Sequence, residues 1–199
     1  MKDGIIIKGI SGFYYVEVGQ DLYECKARGI FRKKGLSPLV GDRVAISIID
    51  ETDKKGNIEK IYERKTELVR PPIANIGKVL ITFSVKEPSP NMVLLDRFIV
   101  FSEKENLDIR IVLTKIDLDK DGTIVDRIVS VYEKIGYKVI PVSVETGQGI
   151  DQVRHELEGC ISVFAGQSGV GKSSILNAIE PDFKLETAEI SQKLGRGKH

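Results

Sequence analysis

The sequence has few cysteines, no tryptophan and no long hydrophobic run. Its two cysteines, Cys25 and Cys160, lie far apart in the chain, so neither a disulfide scaffold nor a zinc site is indicated. The longest apolar stretches, such as VLITF at Val79–Phe83, fit buried strands and are too short to span a membrane. The N-terminal segment GIIIKGI is interrupted by Lys8 and does not resemble a secretory signal. These absences predict a cytoplasmic protein without a membrane segment.

The charge of the chain is nearly balanced. Of the 199 residues, 41% are hydrophobic and 30% are charged, and the formal net charge is +1. This length allows one large domain or two small ones. The near-neutral charge excludes the strong overall basic field that marks many nucleic-acid-binding proteins.

Residues 1–71 are predicted to form strands. Segments such as GIIIKGISGFYYVEVG and DLYECKARGIF are rich in β-branched and aromatic residues, with Gly and Asp at the breaks. About five short strands without a helical period predict a small barrel of the OB type, and a β-sandwich fragment is the alternative. The pair Pro71-Pro72 predicts a domain boundary, because two prolines cannot continue a central strand or a helix.

Residues 72–199 alternate buried strands with amphipathic helices. The strand-like segments VLITFSV, DIRIVLT, KVIPVSV and ISVFAG are separated by helical segments such as LLDRFIVFSEKENL and IVDRIVSVYEKIG. This alternation predicts an α/β domain with a parallel sheet. Ligands of such sheets bind at the carboxyl ends of the strands, where the motifs below are found.

The segment GQSGVGKSS matches the phosphate-binding pattern G-x-x-x-x-G-K-[ST] between a predicted strand and a predicted helix. Its glycines let the backbone approach phosphates, and its N–H groups surround an anion together with the helix N-terminus. Lys172 is the candidate catalytic residue, which brings a positive charge to the β- and γ-phosphates, and the Ser173 hydroxyl is the candidate Mg²⁺ ligand. The predicted phosphate-binding residues are Gly166, Gln167, Ser168, Gly169, Val170, Gly171, Lys172, Ser173 and Ser174.

A second motif, TKID, predicts recognition of guanine. It resembles the N/T-K-x-D element of GTPases, and the Asp117 carboxylate can accept hydrogen bonds from guanine N1–H and the 2-amino group, donors that adenine lacks. The aliphatic stem of Lys115 can lie over the base. The loop SVETGQG follows the next strand and is predicted to lie against the same base. The predicted guanine-binding residues are Thr114, Lys115, Ile116, Asp117, Ser143, Val144 and Glu145.

In the N-terminal region, basic residues surround an aromatic one. Such a pattern can hold an RNA backbone and stack a base, although a solvated loop has the same composition and OB folds also bind other ligands. The candidate RNA-binding residues are Arg28, Phe31, Arg32, Lys33 and Lys34.

The order of the motifs is circularly permuted, because TKID and SVETGQG precede GQSGVGKSS, whereas the phosphate loop comes first in most GTPases. A β-barrel followed by a permuted GTPase domain resembles the RsgA (YjeQ/YloQ) family of ribosome small-subunit-dependent GTPases, over essentially the whole chain. The resemblance implies GTP or GDP with Mg²⁺ as ligands and GTP hydrolysis as the activity. It also implies the small ribosomal subunit and its rRNA as partners, in late maturation of that subunit. We expect the protein to be monomeric.

The segment GRGKH at Gly195–His199 resembles the start of the family's switch I element, G-R-G-[KR]-H-T-T. The resemblance implies that a switch I threonine, a D-x-P-G motif and a C-terminal domain with a zinc site follow this segment. We therefore expect a longer protein, with zinc only in that further domain, and poor hydrolysis by the chain alone. Two alternatives stay open: a P-loop ATPase or small-molecule kinase, and an RNA-binding module with a vestigial nucleotide site.

Overall fold

The computed structural model describes residues 1–33, 35–69, 71–183 and 185, without the side chains of Arg32 and Phe183. It divides into two compact units, of which the first is Met1–Ile76 and the second begins at Gly77. In the described residues, no helix is long and apolar enough to cross a membrane.

The first unit contains a closed five-stranded barrel with the strand order β1-β2-β3-β5-β4, which confirms the predicted OB-type fold. The pair β3–β5 is parallel, and the other neighbouring strands are antiparallel. Its elements are β1 (Lys2–Ile10), β2 (Phe13–Val18), β3 (Asp21–Ala27), α1 (Gly29–Lys33), β4 (Arg43–Asp50), β5 (Lys55–Ile61), β6 (Glu67–Val69) and β7 (Pro72–Ala74). Alternate residues of β2 fill the barrel: Val16 is fully buried, and Tyr14 and Val18 pack against the same core.

The strands β6 and β7 form an antiparallel hairpin that contains the predicted boundary at Pro71-Pro72. Pro72 is the first residue of β7, a position at which a strand tolerates the missing N–H. The chain thus continues through this hairpin, and the compact units divide a few residues after the two prolines, between Ile76 and Gly77.

A buried ion pair ties the segment before this hairpin to the barrel. Arg64 Nε lies 2.7 Å from Asp42 Oδ1, and Arg64 Nη2 lies 2.8 Å from Asp42 Oδ2. The Asp42 side chain is fully buried, and its Oδ2 also accepts a hydrogen bond from the backbone N–H of Leu39. Such a bidentate hydrogen bond fixes the guanidinium in one orientation.

The second unit is an α/β domain with the strand order β10-β9-β8-β11. The strands β8, β9 and β10 pair in parallel, as predicted. Its elements are β8 (Ile76–Ser84), α2 (Met92–Lys104), β9 (Asp108–Thr114), α3 (Thr123–Lys134), β10 (Lys138–Val142), α4 (Ile150–Glu156), β11 (Ile161–Ala165) and α5 (Lys172–Ile179). Leu80, Val112 and Ile140 form the centre of its core and are fully buried.

The register of the sheet brings the carboxyl ends of three strands level with one another. Ser84 at the end of β8 pairs with Thr114 at the end of β9, and Thr114 pairs with Val142 at the end of β10. The segments that follow these strands therefore begin at one edge of the sheet, where parallel α/β sheets bind ligands.

Candidate functional site

The glycine loop between β11 and α5 lies close against the end of β8. Gly166, Gly169 and Gly171 have φ values of +146°, +79° and +96°, which L side chains rarely adopt. A Cβ atom at Gly166 would lie 2.2 Å from the carbonyl oxygen of Thr82. A side chain at position 166 would therefore push the loop away from the sheet edge.

The ammonium group of Lys172 lies over this loop. Its Nζ donates hydrogen bonds to the carbonyl oxygens of Gly166, at 2.9 Å, and Gln167, at 2.6 Å. Burial lowers the pKa of Lys172 from its ordinary value. The side chain is thus folded back over the residues predicted to surround a phosphate, where its charge can meet that of an anion.

The residues around Lys172 fit a nucleotide phosphate with its Mg²⁺. Ser173 and Ser174 are half-buried in the first turn of α5, whereas Val170 is buried and Ser168 is exposed. A serine hydroxyl is a hard oxygen ligand, and Mg²⁺ usually combines one or two such protein ligands with phosphate oxygens and waters. The backbone N–H groups of such a glycine loop and of the helix N-terminus that follows it can donate to that anion.

The two predicted guanine segments meet through Asp117 and Ser143. Ser143 Oγ donates to Asp117 Oδ1 at 2.6 Å and accepts a hydrogen bond from the backbone N–H of Thr146 at 3.2 Å. Ser143 is fully buried, and its backbone N–H donates to the carbonyl oxygen of Gln148 at 3.0 Å. The loop after β10 therefore fixes one carboxylate oxygen of the half-buried Asp117.

The same loop returns to β10 at Gly149. A Cβ atom there would lie 2.2 Å from the carbonyl oxygen of Pro141, and its φ is +77°. Val144 and Glu145 are exposed on this loop, and Ile116 is half-buried in the 3₁₀ turn that carries Asp117. Among the predicted guanine-binding residues, the side chains of Ser143 and Asp117 are thus the pair that forms a hydrogen bond between the two loops.

Thr114 connects the guanine segment to the phosphate loop. Its Oγ1 lies 2.6 Å from the carbonyl oxygen of Val170 and 3.1 Å from that of Phe83. The side chain is 2% exposed, so in this structure the hydroxyl contacts protein rather than solvent. The two motifs, which are far apart in sequence, are held side by side at the sheet edge.

Lys115 is held by a residue that lies outside the three sequence motifs. Its Nζ donates a hydrogen bond to the carbonyl oxygen of Glu87, in the segment after β8, and its backbone is in the left-handed region with φ +57°. Burial lowers the pKa of Lys115. The prolines at positions 88 and 90 signal a turn in this segment, but nothing in the sequence indicates which side chain the turn contacts.

The barrel corrects one candidate RNA contact. The Phe31 ring is 8% exposed and belongs to the barrel core, so it is not available to stack on a base. Arg28 Nη1 donates to Glu59 Oε2 at 2.6 Å, and Lys33 is exposed. Lys34, the side chain of Arg32 and the segment Gly195–His199 lie outside the described residues.

On the outer surface of the barrel, lysine ammonium groups lie over the rings of two other aromatic residues. Lys26 Nζ lies 5.1 Å from the centre of the Phe13 ring, and Lys8 Nζ lies 5.5 Å from that of Tyr15. Both rings are half-buried and alternate along β2 with residues that face the core. The period-two alternation of FYYVEV was the signal that could have identified this face.

Both parts of the chain match family models. The model described as RsgA N-terminal domain matches residues 3–58, and the model described as RsgA GTPase matches residues 61–199. The small ribosomal subunit biogenesis GTPase RsgA of Alkaliphilus metalliredigens is 51% identical over 199 residues, which are 100% of this chain and 68% of the relative. The protein of that name from Ruminiclostridium cellulolyticum is 48% identical, over 100% of this chain and 65% of its own length. The chain thus spans about two thirds of the length of these relatives.

Two solved structures share the fold. YjeQ from Thermotoga maritima superposes with a TM-score of 0.84 at 36% identity, over 98% of this chain and 72% of that one. YloQ, described as a circularly permuted GTPase, superposes with a TM-score of 0.78 at 40% identity, over 99% of this chain and 69% of that one. The likeness extends over both units and agrees with the permuted order predicted from the motifs.

Proposed function

Because this chain belongs to the RsgA GTPase family, we propose that it binds GTP and GDP and acts, within the whole protein, as a GTPase of small ribosomal subunit biogenesis. The observation that carries the proposal is the contact between Thr114 Oγ1 and the carbonyl oxygen of Val170, at 2.6 Å. It brings a base-reading segment and a phosphate-binding loop together at one sheet edge, as one nucleotide would require.

Asp117 selects the base. Ser143 donates to its Oδ1, so the carboxylate is held in one orientation before the nucleotide arrives. Guanine then donates N1–H and its 2-amino group to the carboxylate, whereas adenine lacks both donors and would leave this half-buried charge without a hydrogen bond from the base. The aliphatic stem of Lys115 covers the base plane.

The glycine loop binds the phosphates through its backbone N–H groups, and Lys172 offsets their negative charge. Ser173 would hold Mg²⁺, which when bound would supply further positive charge to the phosphates. In hydrolysis, a water molecule attacks the γ-phosphorus and the bond to the β–γ bridging oxygen breaks, so that GDP and phosphate are released. Lys172 stabilises the charge that develops during this transfer.

For the partner, we propose that the barrel contacts RNA of the small subunit in the cytoplasm through the face formed by Lys8, Phe13, Tyr15 and Lys26. Lysines bind phosphates, and aromatic rings at an RNA-binding surface can stack on unpaired bases. Co-sedimentation of the whole protein with small subunits tests this contact. Phe13→Ala and Lys26→Ala should weaken it, whereas the exposed control Ile49→Ala should not.

Competition binding tests the nucleotide proposal. Fluorescent GDP is expected to bind the chain, to be displaced by GTP and GDP, and not to be displaced by ATP at equal concentration. Lys172→Ala should weaken GDP binding by about tenfold to a hundredfold, because a charge-assisted contact to phosphate is lost. The control Lys134→Ala, on the exposed end of α3, should leave the affinity unchanged. Equal displacement by ATP would favour the P-loop ATPase or kinase, and absence of nucleotide binding would favour the vestigial site.

A further inference from the structure

A short segment after β8 lies beside the predicted guanine-binding residues and is tied to the ends of two strands. Ser84, the last residue of β8, is 1% exposed, and its Oγ donates to the carbonyl oxygen of Pro88 at 2.8 Å. The next residue, Val85, donates its backbone N–H to the carbonyl oxygen of Thr114 at 3.0 Å. The segment 85–88 therefore folds back over the strand ends instead of continuing away from the sheet.

This folded segment presents the carbonyl oxygen of Glu87 to the ammonium group of Lys115. A lysine side chain has four rotatable carbon–carbon bonds and loses considerable rotamer entropy when it is fixed. If the Nζ atom is held at one end and the backbone at the other, the aliphatic stem between them has few conformations left. The stem is the part of Lys115 that would cover a base.

From this geometry we propose that Ser84 is a positioning residue for guanine recognition, a role that rests on the proposed function. Its buried hydroxyl holds the turn at Pro88, the turn holds the carbonyl oxygen of Glu87 in place, and that oxygen holds Lys115 in the conformation that receives the base. Ser84 itself does not touch the nucleotide. Binding of a base should therefore depend on Ser84, whereas binding of phosphates alone should not.

The experiment compares Ser84→Ala, Ser84→Thr and the control Ser102→Ala. Ser102 is also a buried serine, at 3% exposure, and its Oγ also donates to a backbone carbonyl oxygen, that of Phe98 on α2, at 2.8 Å. Affinity for fluorescent GDP and displacement of that probe by inorganic pyrophosphate are measured for each variant, and a thermal unfolding curve checks that each is folded.

The GDP dissociation constant of Ser84→Ala should rise by about three- to tenfold, which corresponds to the loss of one buried hydrogen bond. The intrinsic dissociation constant of pyrophosphate should stay as in the wild type, because pyrophosphate carries no base. Ser84→Thr retains a hydroxyl and should recover most of the GDP affinity, and Ser102→Ala should bind GDP like the wild type.

Two results would overturn the inference while leaving the nucleotide site intact. One is wild-type GDP affinity in a folded Ser84→Ala variant. The other is an equal loss of GDP and pyrophosphate affinity in that variant, which would indicate a general disturbance of the domain. A wild-type chain that binds ATP as well as GDP would instead contradict the proposed function, so the two failures are distinguishable.

A further variant separates the Glu87 backbone from its side chain. Glu87→Gln removes the exposed carboxylate near Lys115 but keeps the carbonyl oxygen that accepts the hydrogen bond. Its GDP affinity should stay within about twofold of the wild type, because exposed ion pairs contribute little. A loss as large as that of Ser84→Ala would assign the effect to the carboxylate and contradict the role of the turn.

Discussion

The hydroxyl of Thr114 lies 2.6 Å from the carbonyl oxygen of Val170, and this contact crosses 56 positions of sequence. Thr114 ends β9 at the start of the guanine segment, and Val170 lies in the glycine loop before α5. Since the side chain of Thr114 is buried, the contact is shielded from water. It makes the geometry of the predicted base site depend on that of the predicted phosphate site.

Thr114→Val should weaken both stability and nucleotide binding. Valine preserves the shape of threonine but removes the hydroxyl, which leaves the carbonyl oxygen of Val170 without this donor. We expect the free energy of unfolding to fall by about 1–2 kcal/mol and the GDP dissociation constant to rise about tenfold. Urea denaturation and fluorescent GDP titration measure the two effects.

Thr66→Val is the matched control for this change. Thr66 Oγ1 also donates to a backbone carbonyl oxygen, that of Ile76, at 2.8 Å, but it lies in the unit that contains the barrel. This variant should lose some stability and keep its GDP affinity. If Thr114→Val bound GDP as tightly as the wild type, the contact with Val170 would have no part in nucleotide binding.

Glu156→Gln should destabilise the α/β domain in a pH-dependent manner. Glu156, at the end of α4, is 7% exposed and receives hydrogen bonds from Lys78 at 2.8 Å, Arg110 at 2.7 Å and Lys138 at 2.6 Å. Burial by itself raises the pKa of Glu156, but the hydrogen bonds from Lys138 and Lys78 and the charge of Arg110 outweigh it and lower the pKa from 4.5 to about 2. The ionised carboxylate is therefore stabilised by folding.

A lowered carboxylate pKa gives stability that is present above the unfolded-state pKa and is lost as the pH falls towards the folded-state value. The wild type should exceed Glu156→Gln in unfolding free energy by about 3 kcal/mol near pH 7, since a pKa unit corresponds to about 1.4 kcal/mol. The difference should shrink as the pH falls from 4.5 to about 2. Urea denaturation at several pH values measures it, with the exposed Glu158→Gln as the control. A difference that does not change with pH would show that the ionisation of Glu156 is not its source.

The fold was predictable where the pattern is local and repeated. The alternation of buried strands with helices predicted the α/β domain, and the β-branched and aromatic composition of the early segments, with Gly and Asp at their breaks, predicted the barrel. Phe31 was misjudged because its neighbours in sequence are basic, whereas its side chain packs with residues from other strands. A short segment does not reveal which way its one aromatic side chain points.

The site was predictable only where a motif carries its own chemistry. The glycine loop and the TKID segment have spacings that phosphate and guanine recognition require, so both are predicted from the sequence alone. The contacts of Thr114 with Val170 and of Lys115 with Glu87 involve backbone carbonyl oxygens, which every residue possesses. Such contacts depend on the path of the chain and leave no signature in the residue types.

Asp117→Asn should exchange the preference for guanine for a preference for xanthine. Ser143 Oγ donates to Oδ1 at this position, so in the variant the amide oxygen should face Ser143 and the amide nitrogen should face the base. The N1–H and 2-amino donors of guanine would then face the amide nitrogen, which is itself a donor. The GDP dissociation constant should therefore rise by about tenfold to a hundredfold. Xanthine has a carbonyl oxygen in place of the 2-amino group, and that oxygen can accept from the amide nitrogen.

The affinities for GDP and XDP are measured by displacement of a fluorescent diphosphate, either GDP or XDP, with each unlabelled diphosphate. The measurement is made on the wild type, on Asp117→Asn and on the control Asp121→Asn. Asp121 is exposed after the same strand and accepts hydrogen bonds from Thr123, so its substitution should leave both affinities unchanged. If Asp117→Asn kept its preference for GDP, the carboxylate would not be reading the 2-amino group. Equal weakening of GDP and XDP would mean that Asp117 supports the loop through Ser143 without contacting the base. Only a gain in XDP affinity together with a loss in GDP affinity assigns base recognition to Asp117 itself, because a general loosening of the site cannot strengthen the binding of either ligand.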